Sequence, residues 1–308
     1  MSLRARLLNL WLRRVERPAM ERGADPQEFR RRFEAHARLL FHPPRGTQMQ
    51  WQVLEHGQRR VNALEVVPRE LTSDTVLLYI HGGGFVFGSP NTHSAMLGSL
   101  CGRLGVRALL PRYRLAPEHP FPAAFEDVRC AWDGLCANGI SPDRILIGGD
   151  SAGGALALSL LGQLLADQSA LPAGAFCLSP LTDLTFSGES FRSNEEREVL
   201  LPVSRASEMA EMYLAGHPAK DPRVSAHFAP FGGAPPIWIS VGDTEILRDD
   251  SRRLCARLSD EKVDVTFEER RDLPHVWPFF HNTLPEARET LDCLADWIRL
   301  QQGLRGEN

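Results

Sequence analysis

Lysine is almost missing from this 308-residue chain: Lys220 and Lys262 are its only two, and arginine carries the rest of the basic charge. With 35 basic against 39 acidic residues, the formal net charge is −4. That balance excludes the electrostatic footprint of a nucleic-acid binder. No apolar run approaches the roughly 20 residues a membrane span needs. The six cysteines, Cys101, Cys130, Cys136, Cys177, Cys255 and Cys293, form no C-x-x-C pair. They therefore read as buried thiols of a reducing compartment, neither metal ligands nor a disulfide framework, with the cytoplasm as the default location. The N-terminal stretch Leu7–Leu12 is too short for a signal h-region and runs into Arg13 and Arg14. Internal repeats and low-complexity tracts are absent. No G-x-x-x-x-G-K-[ST] follows a strand and no G-x-G-x-x-G opens a helix, which argues against a nucleotide cradle.

What is present alternates. Strand-like apolar runs at Thr75–Ile80, Val106–Leu110, Arg144–Gly148, Pro236–Val241 and Val263–Glu268 are separated by helical segments. This pattern predicts an α/β fold with a mostly parallel sheet, preceded by antiparallel edge strands within Gln52–Val66. The length allows one large domain with insertions or two small ones.

One strand ends in Gly149-Asp150-Ser151-Ala152-Gly153-Gly154, and the apolar run from Ala155 to Leu161 continues as a helix. A serine at such a strand-to-helix corner is held with its hydroxyl above the sheet edge, and side chains at Gly149 or Gly153 would crowd the turn. This is the pattern of an α/β-hydrolase nucleophile elbow. A second strand ends in His81-Gly82-Gly83-Gly84-Phe85. Consecutive glycines let main-chain N–H groups approach a substrate closely, so Gly82 and Gly83, with Ala152 after the serine, are expected to bind an oxyanion.

These two motifs, with Tyr113-Arg114-Leu115-Ala116-Pro117-Glu118-His119-Pro120-Phe121-Pro122-Ala123-Ala124 between them, resemble the hormone-sensitive-lipase family of bacterial carboxylesterases. The resemblance covers roughly residues 70 to 300. It implies an α/β-hydrolase with a helical cap that hydrolyses small carboxylic esters without a cofactor or metal.

In that fold the triad runs Ser, then Asp or Glu, then His. His275, in Leu273-Pro274-His275-Val276-Trp277, matches the family's histidine loop and is the expected base, with His281 in reserve. The family's acid loop, aligned on Leu247, Arg248 and Asp249, puts Glu245 where an aspartate is commoner; Asp243 and Asp249 remain alternatives. Asp150 is expected to brace the elbow. Arg114, Glu118 and Asp127 are expected to form a buried polar network behind the glycine loop.

Leu3, Leu7, Trp11 and Val15 recur every four residues, with Leu8 and Leu12 alongside and arginines opposite. This is a basic amphipathic helix ended by Pro18 and the turn at 23–26, and a second helix spans Gln27–Leu40. The resemblance makes residues 1–45 the first part of the cap, 184–229 the second, and 46–183 with 230–308 the core; docking of the first helix on lipid is the other reading. Phe85, Met209, Met212 and Tyr213 are candidate pocket residues. The expected function is a serine carboxylesterase for short- to medium-chain esters. An amidase or arylacetamide-type deacetylase is the rival enzyme, and a non-catalytic receptor the rival of another class. The strand Val263–Glu268 suggests a homodimer by the same resemblance.

Overall fold

The structure is a computed structural model that describes residues 1–22 and 25–303. Strands β1 (Gln48–His56) and β2 (Arg59–Val67) form an antiparallel hairpin, and β2 pairs antiparallel with β4 (Arg107–Pro111). From there β3 (Val76–Ile80), β5 (Ile145–Asp150), β6 (Gly174–Leu178), β7 (Ile237–Gly242) and β8 (Val265–Arg270) continue the sheet, every remaining pairing being parallel. The order is β1-β2-β4-β3-β5-β6-β7-β8, so β8 is an edge strand.

The helices are α1 (Leu3–Trp11), α2 (Arg17–Glu21), α3 (Pro26–Leu40), α4 (Pro90–Leu104), α5 (Ala123–Ala137), α6 (Ala152–Ala166), α7 (Ser190–Ser193), α8 (Val203–Leu214), α9 (Arg248–Asp260) and α10 (Pro285–Gln302). The central strands are apolar on both faces because both are covered. Val76, Leu78 and Ile80 of β3 belong to the cluster on the face that carries α5, α6 and α9, with residues such as Trp132, Leu156 and Leu258. Leu77 and Tyr79 point the other way, toward Met96 and Leu100 of α4 and Leu294 and Ile298 of α10. Helix α6 is buried along nearly its whole length, which is why its sequence is apolar on every side. No helix among the described residues is long and apolar enough to cross a membrane.

Several details differ from the sequence pattern. The first helix does not stop at Pro18: α1 passes through a π-helical turn, Leu12–Glu16, into α2. Pro18 sits in the first turn of α2, where a missing N–H costs nothing. The expected turn at 23–26 lies partly outside the described residues. The stripe Leu3, Leu7, Trp11 and Val15 faces solvent, whereas Ala5 and Leu12 are buried. Small Ala5 lets α1 lie close against Leu273, Trp277, Leu284 and Ala287, so the narrower side is the one that packs. All six cysteines are free; Cys293 is exposed and Cys136 half-buried, the other four buried. Arg114, Glu118 and Asp127 do not form one buried network. Arg114 is an exposed partner of Asp127 and Glu126. Glu118 instead pairs with Arg30 of α3, whose guanidinium also donates to the carbonyls of Val86 and Ala116.

Candidate active site

β5 ends at Asp150 and α6 begins at Ala152, so Ser151 is the single residue that turns the chain. It does so at φ 52°, ψ −121°, a conformation that an L-residue holds only where the surroundings impose it. A Cβ on Gly149 would stand 2.4 Å from the Gly153 carbonyl carbon and oxygen, and one on Gly153 would stand 2.1 Å from the Ile80 oxygen. The two glycines let the elbow close.

The loops after β7 and β8 meet beneath this corner. His275 Nδ1 lies 2.6 Å from Glu245 Oε2. The other Glu245 oxygen accepts from the Gly242 amide at 2.6 Å and the Ser179 hydroxyl at 2.8 Å. Glu245 is fully buried, and these bonds satisfy a charge that burial would otherwise penalise. Ser179 Oγ also accepts from the Val276 amide, so one hydroxyl ties Glu245 to the loop that carries His275. Burial alone would depress the His275 imidazole, but Glu245, with Glu198 and Asp150 beyond it, overcomes this and holds its pKa above the ordinary histidine value.

The two alternative acids are engaged elsewhere. Asp243 accepts from the Asp272 amide and pairs with Arg197. Asp249 accepts from the Ser190 amide and bonds Arg248. His281, the reserve base, contacts the Phe279 carbonyl.

In the glycine loop the first expectation needs correcting. The Gly82 N–H donates to Asp150 Oδ1 at 3.0 Å, so it is already committed and cannot serve an oxyanion. Among the described residues, no protein acceptor takes the N–H of Gly83 or Gly84, and the Ala152 N–H is an unpaired first-turn donor of α6. The available set is therefore Gly83, Gly84 and Ala152. Asp150 does brace the elbow: it also accepts from Tyr79 Oη at 2.8 Å and lies 3.3 Å from His93 Nε2. Burial pushes its carboxyl up, yet His93, Tyr79 and His81 together hold it below the usual range. His81 stacks on Tyr113, whose hydroxyl donates to the His81 carbonyl. Burial, and then His93, lower the His81 pKa to about 3, so it is a neutral structural ring.

Ser151 and His275 open into a largely apolar cleft. Trp11, Phe33, Leu40, Leu201, Met209 and Phe279 are among its walls, so both the N-terminal helices and the segment between β6 and β7 border it. Phe85 and Met209 stand on the cleft wall. Tyr213 does not; it stacks behind Phe85 at 3.8 Å between centroids. Met212 likewise packs against the core cluster and is not part of the cleft wall among the described residues.

Two residues escaped sequence reasoning. Ser179 lies in an unremarkable S-P step after β6. Glu198 sits in the run Asn194–Val199, where four charged residues suggest a solvated surface. It is instead buried: one carboxylate oxygen accepts from the Leu200 and Leu201 amides and the other from Ile246, the residue after Glu245. Burial pushes its carboxyl upward, offset in part by His275 and reinforced by Glu245.

Residues 77–279 match a family model described as the alpha/beta hydrolase fold. An acetyl-hydrolase of Streptomyces hygroscopicus is 39% identical over 74% of this chain and 76% of its own length. An esterase of Acinetobacter venetianus is 34% identical over 76% and 77%. The crystal structure of an esterase from the bacterial hormone-sensitive lipase family superposes with a TM-score of 0.91, at 34% identity, over 98% of this chain and 99% of the other. The crystal structure of EstE5 soaked with p-nitrophenyl butyrate matches at the same TM-score and identity, over 98% of this chain and 100% of that one. The sheet order, the elbow and these likenesses lead to one conclusion: the chain belongs to the hormone-sensitive-lipase family of α/β-hydrolases and is a carboxylic ester hydrolase.

Proposed function

We propose that the chain hydrolyses short- to medium-chain carboxylic esters through an acyl-enzyme on Ser151. The observation that carries this reading is the convergence of Ser151 and His275 on one cleft, with Glu245 hydrogen-bonded to the far side of the imidazole. His275 takes the Ser151 proton as Oγ attacks the ester carbonyl carbon. Glu245 fixes the Nδ1–H tautomer and stabilises the imidazolium that forms. The N–H groups of Gly83, Gly84 and Ala152 receive the oxyanion; losing one such donor costs roughly 3–4 kcal/mol in related chemistry. The tetrahedral adduct collapses as His275 returns its proton to the leaving alkoxide. Water, deprotonated by the same imidazole, then cleaves the acyl-serine and releases the acid.

One wall contact supports the chain-length part of this reading. Met209 approaches Gly84 so closely that a Cβ there would stand 2.5 Å from its Sδ, and this narrows the cleft beside the glycine loop. Initial rates on p-nitrophenyl esters from acetate to palmitate test the reading: it requires a maximum at short to medium chains, and a maximum at palmitate overturns it. Met209→Ala should raise the octanoate-to-acetate ratio of kcat/KM by about tenfold, the scale of added pocket volume for apolar groups.

The open outer edge of β8, with Phe267 partly exposed, supports pairing with β8 of a second copy. A dimer by light scattering that Phe267→Lys dissociates is the expected result; a monomeric wild type contradicts it.

A further inference from the structure

Leu3 is 71% exposed, Leu7 58%, Leu10 44% and Trp11 38%. At 3.6 residues per turn, these four fall within an arc of about 100° on α1. Leu39 and Leu40, at the end of α3, are exposed as well, and Trp11 and Leu40 also line the catalytic cleft. The uncovered apolar surface is thus continuous with the entrance to Ser151. Contiguous exposed apolar surface at a site mouth marks an interaction face.

The charge carried by the helix itself is of one sign, with the Glu286 carboxylate bonded to Ser2 at its start. Arg4, Arg6, Arg13 and Arg14 are all exposed, and no acidic residue precedes Glu16. Arg4 and Arg13 donate to the carbonyls of Thr283 and Arg197, so their charge meets no carboxylate there. We propose that α1 is an interfacial helix that docks this enzyme on an anionic lipid surface, setting the cleft mouth against the lipid. Leucines and a tryptophan suit the boundary between headgroups and acyl chains, and arginines reach back to phosphates. A second copy of the chain fits less well, because two-fold pairing would set four arginines against four others.

The docking is separable from the chemistry at Ser151, so it is measured on the full chain carrying Ser151→Ala. Co-sedimentation is compared on vesicles of phosphatidylcholine alone and of phosphatidylcholine mixed with phosphatidylglycerol. Binding to the mixed vesicles should be at least about tenfold tighter and weaken with salt. Leu3→Ser with Leu7→Ser should lower it at least about tenfold. Neither residue lines the cleft, so in the Ser151 background this pair should retain its rate on soluble p-nitrophenyl acetate and its melting temperature. Arg4→Gln, Arg6→Gln and Arg14→Gln together should reduce mixed-vesicle binding to the neutral-vesicle level. Equal binding to both vesicles, or unchanged binding of the leucine variant, overturns the proposal. A dimer in gel filtration that the leucine pair dissociates also overturns it, and gives the face to a second copy.

Discussion

Ser179 and Glu245 are joined by a 2.8 Å hydrogen bond in which the serine hydroxyl donates to the carboxylate. With the Gly242 amide on the same oxygen, this leaves the other oxygen facing His275 Nδ1. The longer glutamate side chain reaches back over its own turn to Gly242, so one carboxylate contacts both that amide and the imidazole.

Glu245→Gln should lower kcat/KM by about three to four orders of magnitude, the scale for losing the tautomer-fixing acid of a triad. The sign of the pH effect follows from the raised His275 pKa. A general base works only when neutral, so the wild-type rate rises with pH through a midpoint above the ordinary histidine value. Removing the Glu245 charge moves that midpoint down. The pH profile of kcat/KM for both proteins checks this; an unmoved acid limb transfers the acid role to another residue.

Asp250 offers a contrast. It is buried, accepts from the Thr182 and Asp183 amides, and burial lifts its pKa to about 7. A group whose folded pKa is raised above its unfolded value contributes stability below the unfolded pKa, and loses it as pH rises through the folded one. The Asp250 contribution to thermal stability should therefore decline between about pH 4 and about pH 7, opposite in sign to that of buried His81, whose lowered pKa adds stability as pH rises. The melting-temperature difference between wild type and Asp250→Asn should accordingly change in favour of the variant as pH rises across this range; a difference that does not vary with pH contradicts the raised Asp250 pKa.

The fold was legible because its signals were strong and local. Continuous apolar runs mark β3, β4, β5 and β7, and glycines flank Ser151 where no side chain fits. The Glu245 and His275 loops could be found only with the family pattern, since a lone acid after a strand is common. The oxyanion donors were misassigned at one place for a physical reason. A run of three glycines does not reveal which N–H is already taken, and Gly82 lost its availability to Asp150, distant by 68 residues. In the first helix the wide stripe of Leu3, Leu7, Trp11 and Val15 faces solvent while the narrow side at Ala5 packs on the protein, a choice of face that periodicity alone does not reveal. Glu198 was hidden by charged neighbours that do face water.

Asp150→Ala removes the acceptor of both the Tyr79 hydroxyl and the Gly82 amide, at a site with no solvent to replace it. Each orphaned donor costs about 1–3 kcal/mol, so the melting temperature should fall by about 5–15 °C in a chain of this size. Tyr79→Phe removes one donor without orphaning another and should cost much less. Calorimetry on the two variants decides; equal losses would deny Asp150 its bracing role.

Glu198→Gln keeps the shape of the side chain but sets an amide N–H₂ against a main-chain N–H, either Ile246 or the Leu200–Leu201 pair. It also removes a charge that raises the His275 pKa. The expected outcome is a kcat lowered about tenfold, with KM little changed and the acid limb moved to lower pH. A purely structural role would lower the melting temperature while leaving the pH midpoint in place.

Mass spectrometry of the intact protein mixed rapidly with p-nitrophenyl butyrate, beside Ser151→Ala, tests the central claim most directly. A butyryl adduct on the wild type alone, with turnover at least about ten-thousand-fold slower in the folded variant, is the predicted result. An adduct on the variant, or turnover at the wild-type rate without one, would contradict nucleophilic catalysis by Ser151.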